Sequence, residues 1–429
     1  MDSKIKIRPA NGPVDFSIRP PGSKSISNRA LICAALADGK STLSGILISD
    51  DTHVMLDSLK KVGIAIDLDQ ANRSATIQGC AGQLPNTSAE LFVDNSGTTI
   101  RFLTGMLGVH GGNYRLSGAE RMNERPIGPL ADALKQLGAN IETHSAGGCP
   151  PVVIDSARIT HDRCEVAGDI SSQYASGLML ASPLAQGNFE IQFVPPIVSK
   201  PYLTMTQQVM SQFGIESKIS LNENPTGFSL DAGQIYQPRD YAIEPDASAA
   251  SYFWAAAAIC GGSATVIGLN EKSLQGDVGF VNCLEQMGCN VNWESDRITV
   301  SGKAMRGIDV DMADISDTVQ TLAAVALFVD GPTTVRGVAH NRVKETDRVG
   351  NLAIELRKFG ATVEEHADGL TIEPGEIRAA EIETYNDHRM AMSLSLPGLV
   401  QTGVVIKDPG CTAKTYPNFF DDLAQAINS

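Results

Sequence analysis

A helix-ending pattern recurs along this chain at nearly constant spacing, and it restricts the fold more than any other feature. A large apolar residue, three further positions, then glycine and a short extended run occur at Leu59…Gly63, Leu134…Gly138, Met210…Gly214, Leu284…Gly288 and Leu356…Gly360. The glycines lie 75, 76, 74 and 72 residues apart. Glycine just past a helix is the usual left-handed cap. The alternating segments that follow, such as Ile64-Ala65-Ile66 and Val291-Asn292-Trp293, read as strands. A second marker is a small-residue or acidic helix opening, seen near Lys24, Gly97, Ser172, Ser248, Asp317 and His388, at steps of 73, 75, 76, 69 and 71. Two independent markers with one period predict six copies of one unit, each holding strands and two helices.

The last copy is cut short, because after Phe419-Phe420-Asp421-Asp422-Leu423 no glycine cap or closing strand follows. The N-terminal segment Lys4-Ile5-Lys6-Ile7-Arg8 alternates like a strand and is expected to complete it. With 429 residues the chain exceeds one ordinary core. Three units then make each of two similar domains: residues 1–22 with 241–429, and residues 23–240. The chain crosses between them near residue 22 and near 240, the second time through Tyr236-Gln237-Pro238-Arg239-Asp240. A site in the cleft between two such domains is expected to close around a ligand and exclude water.

A formal charge of −15 argues against nucleic acid or an anionic membrane surface as the main partner, while basic groups focused in a cleft can still bind small anions. The eight cysteines form no Cys-x-x-Cys pair. Their spacing suggests neither zinc nor a disulfide framework, and they read as core fillers in a reducing compartment. Met1-Asp2-Ser3-Lys4 has no apolar run behind it, so no signal peptide is expected. The longest apolar stretches, around Trp254–Cys260 and Leu322–Val329, are too short to span a bilayer.

Cations gather at the helix openings. Pro21-Gly22-Ser23-Lys24-Ser25-Ile26-Ser27-Asn28-Arg29 stops an extended segment and opens a helix with hydroxyls, Lys24 and Arg29, which is either an anion site or a capped helix with solvated charges. Asn95 to Arg101 repeats that logic, with Gly97 admitting close approach to the backbone. Arg125 precedes a proline-opened helix and either forks an anion or pairs with a surface acid. Asp169-Ile170-Ser171-Ser172-Gln173 offers hydroxyls and an amide, and Ser199-Lys200-Pro201-Tyr202 a hydroxyl, a cation and an aromatic face. In Arg342 to Arg348 a helix would put Lys344 and Arg348 on one face, with Glu345 three residues from Arg348. That run is either a solvated ion-paired helix or a carboxyl held among cations for proton transfer. Asn386-Asp387-His388-Arg389 and Cys411-Thr412-Ala413-Lys414 add further cations. No Gly-x-Ser-x-Gly elbow, Walker A loop or dinucleotide fingerprint is present.

These segments, in this order and along essentially the whole chain, resemble the 5-enolpyruvylshikimate-3-phosphate synthase family of enolpyruvyl transferases. The most specific pieces are Pro21 to Ser25, Asn95 to Arg101, Arg342 to Arg348, Asn386 to Met392 and Cys411 to Thr415. The resemblance implies an α/β (α+β) fold of two similar domains, each of three βαβαββ units arranged as an inverse α/β barrel. It implies transfer of the enolpyruvyl group of phosphoenolpyruvate to the 5-hydroxyl of shikimate 3-phosphate by addition and elimination, with no metal or organic cofactor. By the same resemblance Lys24, Ser25, Arg29, Ser171, Ser172, Gln173, Ser199, Tyr202, Asp317, His340 and Lys344 meet shikimate 3-phosphate. Lys24, Asn95, Gly97, Arg125, Gln173, Arg348, His388, Arg389 and Lys414 meet phosphoenolpyruvate. Asp317 is expected as the base on the hydroxyl and Glu345 as proton donor and acceptor at the methylene, with Lys24 sharing proton transfer. His340 stands where many relatives carry Asn, and Phe102 where proline is common. The surroundings of Gly97 also receive the inhibitor glyphosate in this family, and Phe102 leaves sensitivity open. A monomer in the cytoplasm, rather than a plastid, is expected.

The nearest rival is the UDP-N-acetylglucosamine enolpyruvyl transferase family, which usually carries a reactive cysteine where this chain has Gly118 to Arg125. An RNA 3′-phosphate cyclase would need RNA binding, against the acidic balance. A non-catalytic repeat scaffold leaves the cations at the helix openings unexplained.

Overall fold

The computed structural model describes residues 3–144, 147–222 and 225–428, so Met1 and Asp2 of the N-terminal stretch read above lie outside the described residues. The chain divides into two compact units, Gly22–Ile243 and a discontinuous one made of Met1–Pro21 with Glu244–Ser429.

Each unit holds three copies of one motif. In the second copy Ser88–Phe92 runs parallel to Gly112–Ser117, joined through the Gly97–His110 helix. The Gly128–Gln136 helix then leads into Ile141–Thr143 and Val152–Ser156, an antiparallel pair whose second strand returns to Gly112–Ser117. The order across the sheet, counted within the copy, is first, second, fourth, third, and the other four-stranded sheets repeat it. A parallel first pair requires the crossover helix, and the closing hairpin requires only a turn.

The two chain crossings explain the strands borrowed from elsewhere. Asp240–Ala242 takes the first position of the first copy, parallel to Lys40–Ser44. The return crossing therefore follows Ile243 rather than Asp240, and Tyr236 is buried with its hydroxyl on the carbonyl of Leu180. In the discontinuous unit Val14–Ile18 plays the same part beside Gly262–Ile267. The sixth sheet has three strands, Glu381–Ile382, Val405–Lys407 and Lys4–Lys6, with Ile5 opposite Ile406.

The first helix of each copy differs from the second in a way the residues dictate. Every residue of Gly97–His110 is buried, and so is all of Ala247–Cys260 except its last residue. Such helices are mostly small and apolar residues and form the centre of a core. The second helices, for example Asp50–Lys61 and Gly350–Lys358, are amphipathic and bury one face. Gly63, Gly138, Gly214, Gly288 and Gly360 end those second helices at φ of 95°, 93°, 84°, 112° and 100°, a region closed to most side chains. All eight cysteines are free. Burial pushes Cys33, Cys164 and Cys411 up to about 12, which keeps these thiols inert at neutral pH. No described helix is long and apolar enough to cross a membrane.

Candidate active site

In the Gly22–Ile243 unit the first helix of each copy opens on a serine that caps it. Ser23, Ser96 and Ser171 cap the helices starting at Lys24, Gly97 and Ser172 by accepting the N–H groups of Ile26, Thr99 and Gln173. Each cap satisfies one of the orphan donors of its helix, and the remaining donors and the dipole still favour an anion. Lys24 Nζ lies 3.4 Å from Asp51, a buried residue in the first turn of the next helix. Ser199 sits in the left-handed region at φ 54°, buried, directly before Lys200–Gln212.

Arg125 is buried and donates to both the carbonyl (2.8 Å) and side-chain oxygen (3.0 Å) of Asn95. Its guanidinium lies against Gly97, where an added Cβ would come within 2.3 Å of Nη2. Arg101, whose position in the sequence assigns it no role, ties these pieces together. It donates to Gln173 Oε1 at 2.6 Å and to the carbonyl of Pro126 at 3.2 Å, and its guanidinium carbon stands 5.2 Å from the Tyr174 ring centre. Tyr174 donates to the same Pro126 carbonyl at 2.6 Å. Gln173 in turn donates to Thr98 at 3.1 Å. One network thus ties Gly97, Gln173 and the loop carrying Arg125.

Arg29 is enclosed. It donates to Thr206, Ser176 and the carbonyls of Ser25 and Tyr202, and stacks on Phe102 with 5.1 Å to the ring centre. Burial brings it down to about 10, so it remains a cation at neutral pH. Phe102 is thus a platform for this arginine.

In the discontinuous unit the candidates converge on Asp317, in the short turn Ser316–Thr318. Its Oδ1 meets Lys344 at 2.8 Å and Arg348 at 3.3 Å, and its Oδ2 meets Arg389 at 2.7 Å. Burial alone would raise this carboxyl. Arg389, Lys344 and Arg348 outweigh that and hold it well below the carboxylate range. Arg348 is the hub. It grips Asp387 through Nε at 2.7 Å and Nη2 at 3.2 Å, and reaches Glu345 at 2.8 Å. Burial works against its charge, but Asp387, Glu345 and Asp317 together raise it. Glu345 also meets Lys414 at 3.2 Å. Burial lowers Lys344, with Asp317 opposing. His340 Nε2 lies 3.0 Å from Ser316 Oγ, and burial with the Lys344 charge brings it down to about 3, so its ring is neutral. Asn341 donates to the Ser316 carbonyl at 2.9 Å. His388 and Arg389 open the helix His388–Ser395, capped by Asp387.

The helix over Arg342 to Arg348 is not formed. Ala339–Val343 is a 3₁₀ turn, and the next helix begins at Gly350. Asp347 is the reason. Its Oδ1 accepts from the N–H groups of Val349 and Gly350, so it caps the following helix and leaves Lys344 to Arg348 in a loop. Arg342, bonded to Asp347 and to the carbonyl of His366, pins that loop. Lys344 and Arg348 therefore share Asp317 rather than a helix face. Asp387 and Asp51 were missed as ion-pair partners, since nothing local in the sequence joins Asp387 to Arg348.

Four cations (Lys344, Arg348, Arg389 and Lys414) and three carboxylates (Asp317, Glu345 and Asp387) make one cluster in this unit. Four cations are thus gathered at one place in a chain that is acidic as a whole. Repeated βαβαββ units with hydroxyl- and cation-bearing helix starts define a two-unit α/β protein equipped to receive small anions. The chain belongs to the EPSP synthase (3-phosphoshikimate 1-carboxyvinyltransferase) family, whose model matches residues 9–423. It is 44% identical over 439 residues to the chloroplastic 3-phosphoshikimate 1-carboxyvinyltransferase of Brassica napus, spanning 98% of this chain and 84% of that one. The 3-phosphoshikimate 1-carboxyvinyltransferase of Nostoc punctiforme is 44% identical over 424 residues, 99% of each chain. A solved EPSP synthase from Acinetobacter baumannii superposes with a TM-score of 0.82 at 27% identity, covering 99% of this chain and 98% of that one.

Proposed function

We infer that this chain carries out the reaction its family is named for. It is a carboxyvinyltransferase of the shikimate pathway, joining phosphoenolpyruvate to shikimate 3-phosphate with release of phosphate. In our reading Ser25, Ser171, Ser172 and Ser199 take the shikimate phosphate. Gln173, Tyr202, Lys344 and His340, or Asn341 beside it, orient the ring. Arg29 acts from beneath, by fixing Ser25 and Tyr202. Phosphoenolpyruvate falls to Lys24, Asn95, Gly97, Arg125, Arg348, His388, Arg389 and Lys414.

The observation that carries this reading is the carboxylate of Asp317 clamped by three cations. A clamped carboxylate is a weak base. When the phosphate and carboxylate groups of the substrates draw Arg348, Arg389 and Lys344 toward themselves, Asp317 loses its partners and gains basicity. It then accepts the proton of the 5-hydroxyl as that oxygen attacks C2 of phosphoenolpyruvate. Glu345 takes up a proton once the substrate anions have drawn Arg348 and Lys414 away from it, and passes that proton to the methylene carbon, giving a methyl group and a tetrahedral intermediate. Loss of phosphate, which carries off the proton held by Asp317, with return of a methyl proton to Glu345, restores the double bond in the product and both carboxylates. Lys24 assists proton transfer. Cations already in place at the site lower the cost of assembling two anions. We further propose a monomer, and a cytoplasmic location that eight free thiols suit, since they fit a reducing compartment.

Phosphate release tests it. The protein releases phosphate from phosphoenolpyruvate with shikimate 3-phosphate as acceptor and not with UDP-N-acetylglucosamine. Asp317→Asn lowers kcat by about 10³-fold or more while the KM values move by less than about tenfold. Release with the nucleotide sugar overturns the substrate assignment, and a normal kcat removes Asp317 from proton transfer.

A further inference from the structure

One carboxylate lies outside the cluster just described and is wholly enclosed. Glu355 projects from the helix Gly350–Lys358, and its side chain has no solvent exposure. It shares the buried face of that helix with Leu352, Ala353 and Leu356, where an apolar residue would pack at no electrostatic cost. Burying a carboxylate costs several kcal/mol, so partners must hold it there. They do, and two of the three belong to a single turn. Oε1 accepts from the Tyr385 hydroxyl at 2.8 Å, and Oε2 accepts from the N–H of Glu383 at 3.0 Å. Lys358 meets Oε2 at 2.6 Å and also reaches the carbonyl of Glu381 at 3.2 Å.

That turn is unusual. Tyr385 and Asn386 are consecutive non-glycine residues in the left-handed region, at φ 54° and 53°. Each costs roughly 1 kcal/mol or more and persists only where its surroundings enforce it. The next residue is Asp387, whose N–H donates to the carbonyl of Thr384 at 2.9 Å. Asp387 fastens Arg348 through both carboxylate oxygens and accepts the N–H of Arg389. Where the turn ends therefore decides where Arg348 and Arg389 stand.

We propose that Glu355 is a positioning residue for the reaction: it locks the turn 383–386 in its left-handed form and so sets the placement of Arg348 and Arg389 toward phosphoenolpyruvate. The proposal rests on the reading above in which those arginines hold that substrate. Glu355 touches none of the groups assigned to either substrate, so its effect is indirect and passes through Arg348 and Arg389, the arginines assigned to phosphoenolpyruvate. A residue that served stability alone would affect both substrates alike.

The test is steady-state kinetics on the whole protein with three variants. Glu355→Leu keeps the apolar packing and removes both anchors. It raises KM for phosphoenolpyruvate about tenfold and leaves KM for shikimate 3-phosphate within about twofold. Glu355→Gln still accepts from Glu383 through its oxygen and meets the Tyr385 hydroxyl through its nitrogen, so it stays within about threefold of the parent on phosphoenolpyruvate. Tyr385→Phe removes one anchor without disturbing the helix and raises the same KM about threefold, which keeps the proposal testable if the leucine variant fails to fold. An equal rise for both substrates, or no rise with either Glu355→Leu or Tyr385→Phe, overturns it. Arg389→Ala, run in parallel, separates the two readings. If it raises KM for phosphoenolpyruvate and the Glu355 variants do not, the positioning role alone falls. If it leaves that KM unchanged, the assignment of Arg389 falls and takes the positioning role with it.

Discussion

Arg125 shows how one residue's work depends on what its neighbour lacks. Its guanidinium is held by the two oxygens of Asn95 and lies against the bare backbone of Gly97. A methyl group on Gly97 would stand 2.3 Å from Nη2, 2.8 Å from Cζ and 3.1 Å from Nη1 of Arg101. No Cβ tolerates the first two distances, so something moves. The clash falls on the far end of a long side chain, which yields more readily than backbone. Gly97→Ala is therefore expected to leave the fold nearly as stable as before and to displace Arg125 from its bonds with Asn95. Losing a charge-assisted contact to an anionic substrate is worth about 1.5–3 kcal/mol, so KM for phosphoenolpyruvate should rise by about tenfold or more, with KM for shikimate 3-phosphate little changed. Kinetics with each substrate varied in turn checks this. An unchanged KM for phosphoenolpyruvate would take Arg125 out of that role.

At the scale of elements, close helix packing positions the inserted unit's openings. An added Cβ at Gly105 would lie 2.6 Å from the carbonyl oxygen of Gly177, and one at Gly177 would lie 2.7 Å from that of Arg101. The helices Gly97–His110 and Ser172–Ala181 therefore cross backbone to backbone, close enough for Arg101 to reach Gln173. Gly105→Ala sets two effects against each other. Alanine gains about 0.8–1 kcal/mol of helix propensity over glycine. Forcing the backbones apart costs about 1–3 kcal/mol or more, since a carbonyl cannot swing away like a side-chain tip. The second effect wins, so the variant is expected to lose stability in urea unfolding and to loosen the bond between Arg101 and Gln173. A gain in stability would mean that the helices part at no cost. Such elements were largely legible beforehand, because glycine caps and small-residue openings are local signals that recur with the repeat. The strand supplied by Asp240–Ala242 was not, because three residues with one apolar side chain between two charged or small ones carry too little pattern. The Lys344 to Arg348 loop misread as a helix for a different reason: charges four apart satisfy a helix equally well, and only the cap by Asp347 decides. The pairing of Arg348 with Asp387 joins two repeats and leaves no trace in either one. The cations at the openings were visible as residue types, whereas the burial of Arg29 beneath Phe102 depends on three helices at once.

For the molecule as a whole, an acidic chain encloses groups whose protonation differs between folded and unfolded states. His340 is brought down to about 3 by burial and the Lys344 charge. Its ordinary value is near 6.5, so between about pH 6.5 and 3 the unfolded chain binds a proton that the folded one refuses, and stability falls as the pH falls through that window. Asp277 works in the opposite sense. Buried and bonded to Ser248, it is pushed up to about 6, chiefly by burial and then by the Asp317 charge. The folded state binds its proton more tightly than the unfolded chain, so stability from this group is gained as the pH falls from about 6 toward 4. The two offset over that range, and the parent protein should show a shallow acid slope there. Replacing His340 by Asn removes one of them. At pH 4.5, about two units below the ordinary histidine value, the loss avoided is about 2–3 kcal/mol. The variant should therefore become more acid-resistant than the parent as the pH falls from 7.5 to 4.5, whatever constant difference separates them above 6.5. The two tryptophans, Trp254 and Trp293, both lie in the discontinuous unit with His340. Tryptophan fluorescence in urea follows that unit alone, so the measurement does not require the two units to unfold together. Parallel stability curves for parent and His340→Asn from pH 7.5 to 4.5 would mean that the imidazole takes up its proton in the fold as freely as in the open chain, and would contradict its enclosure beside Lys344.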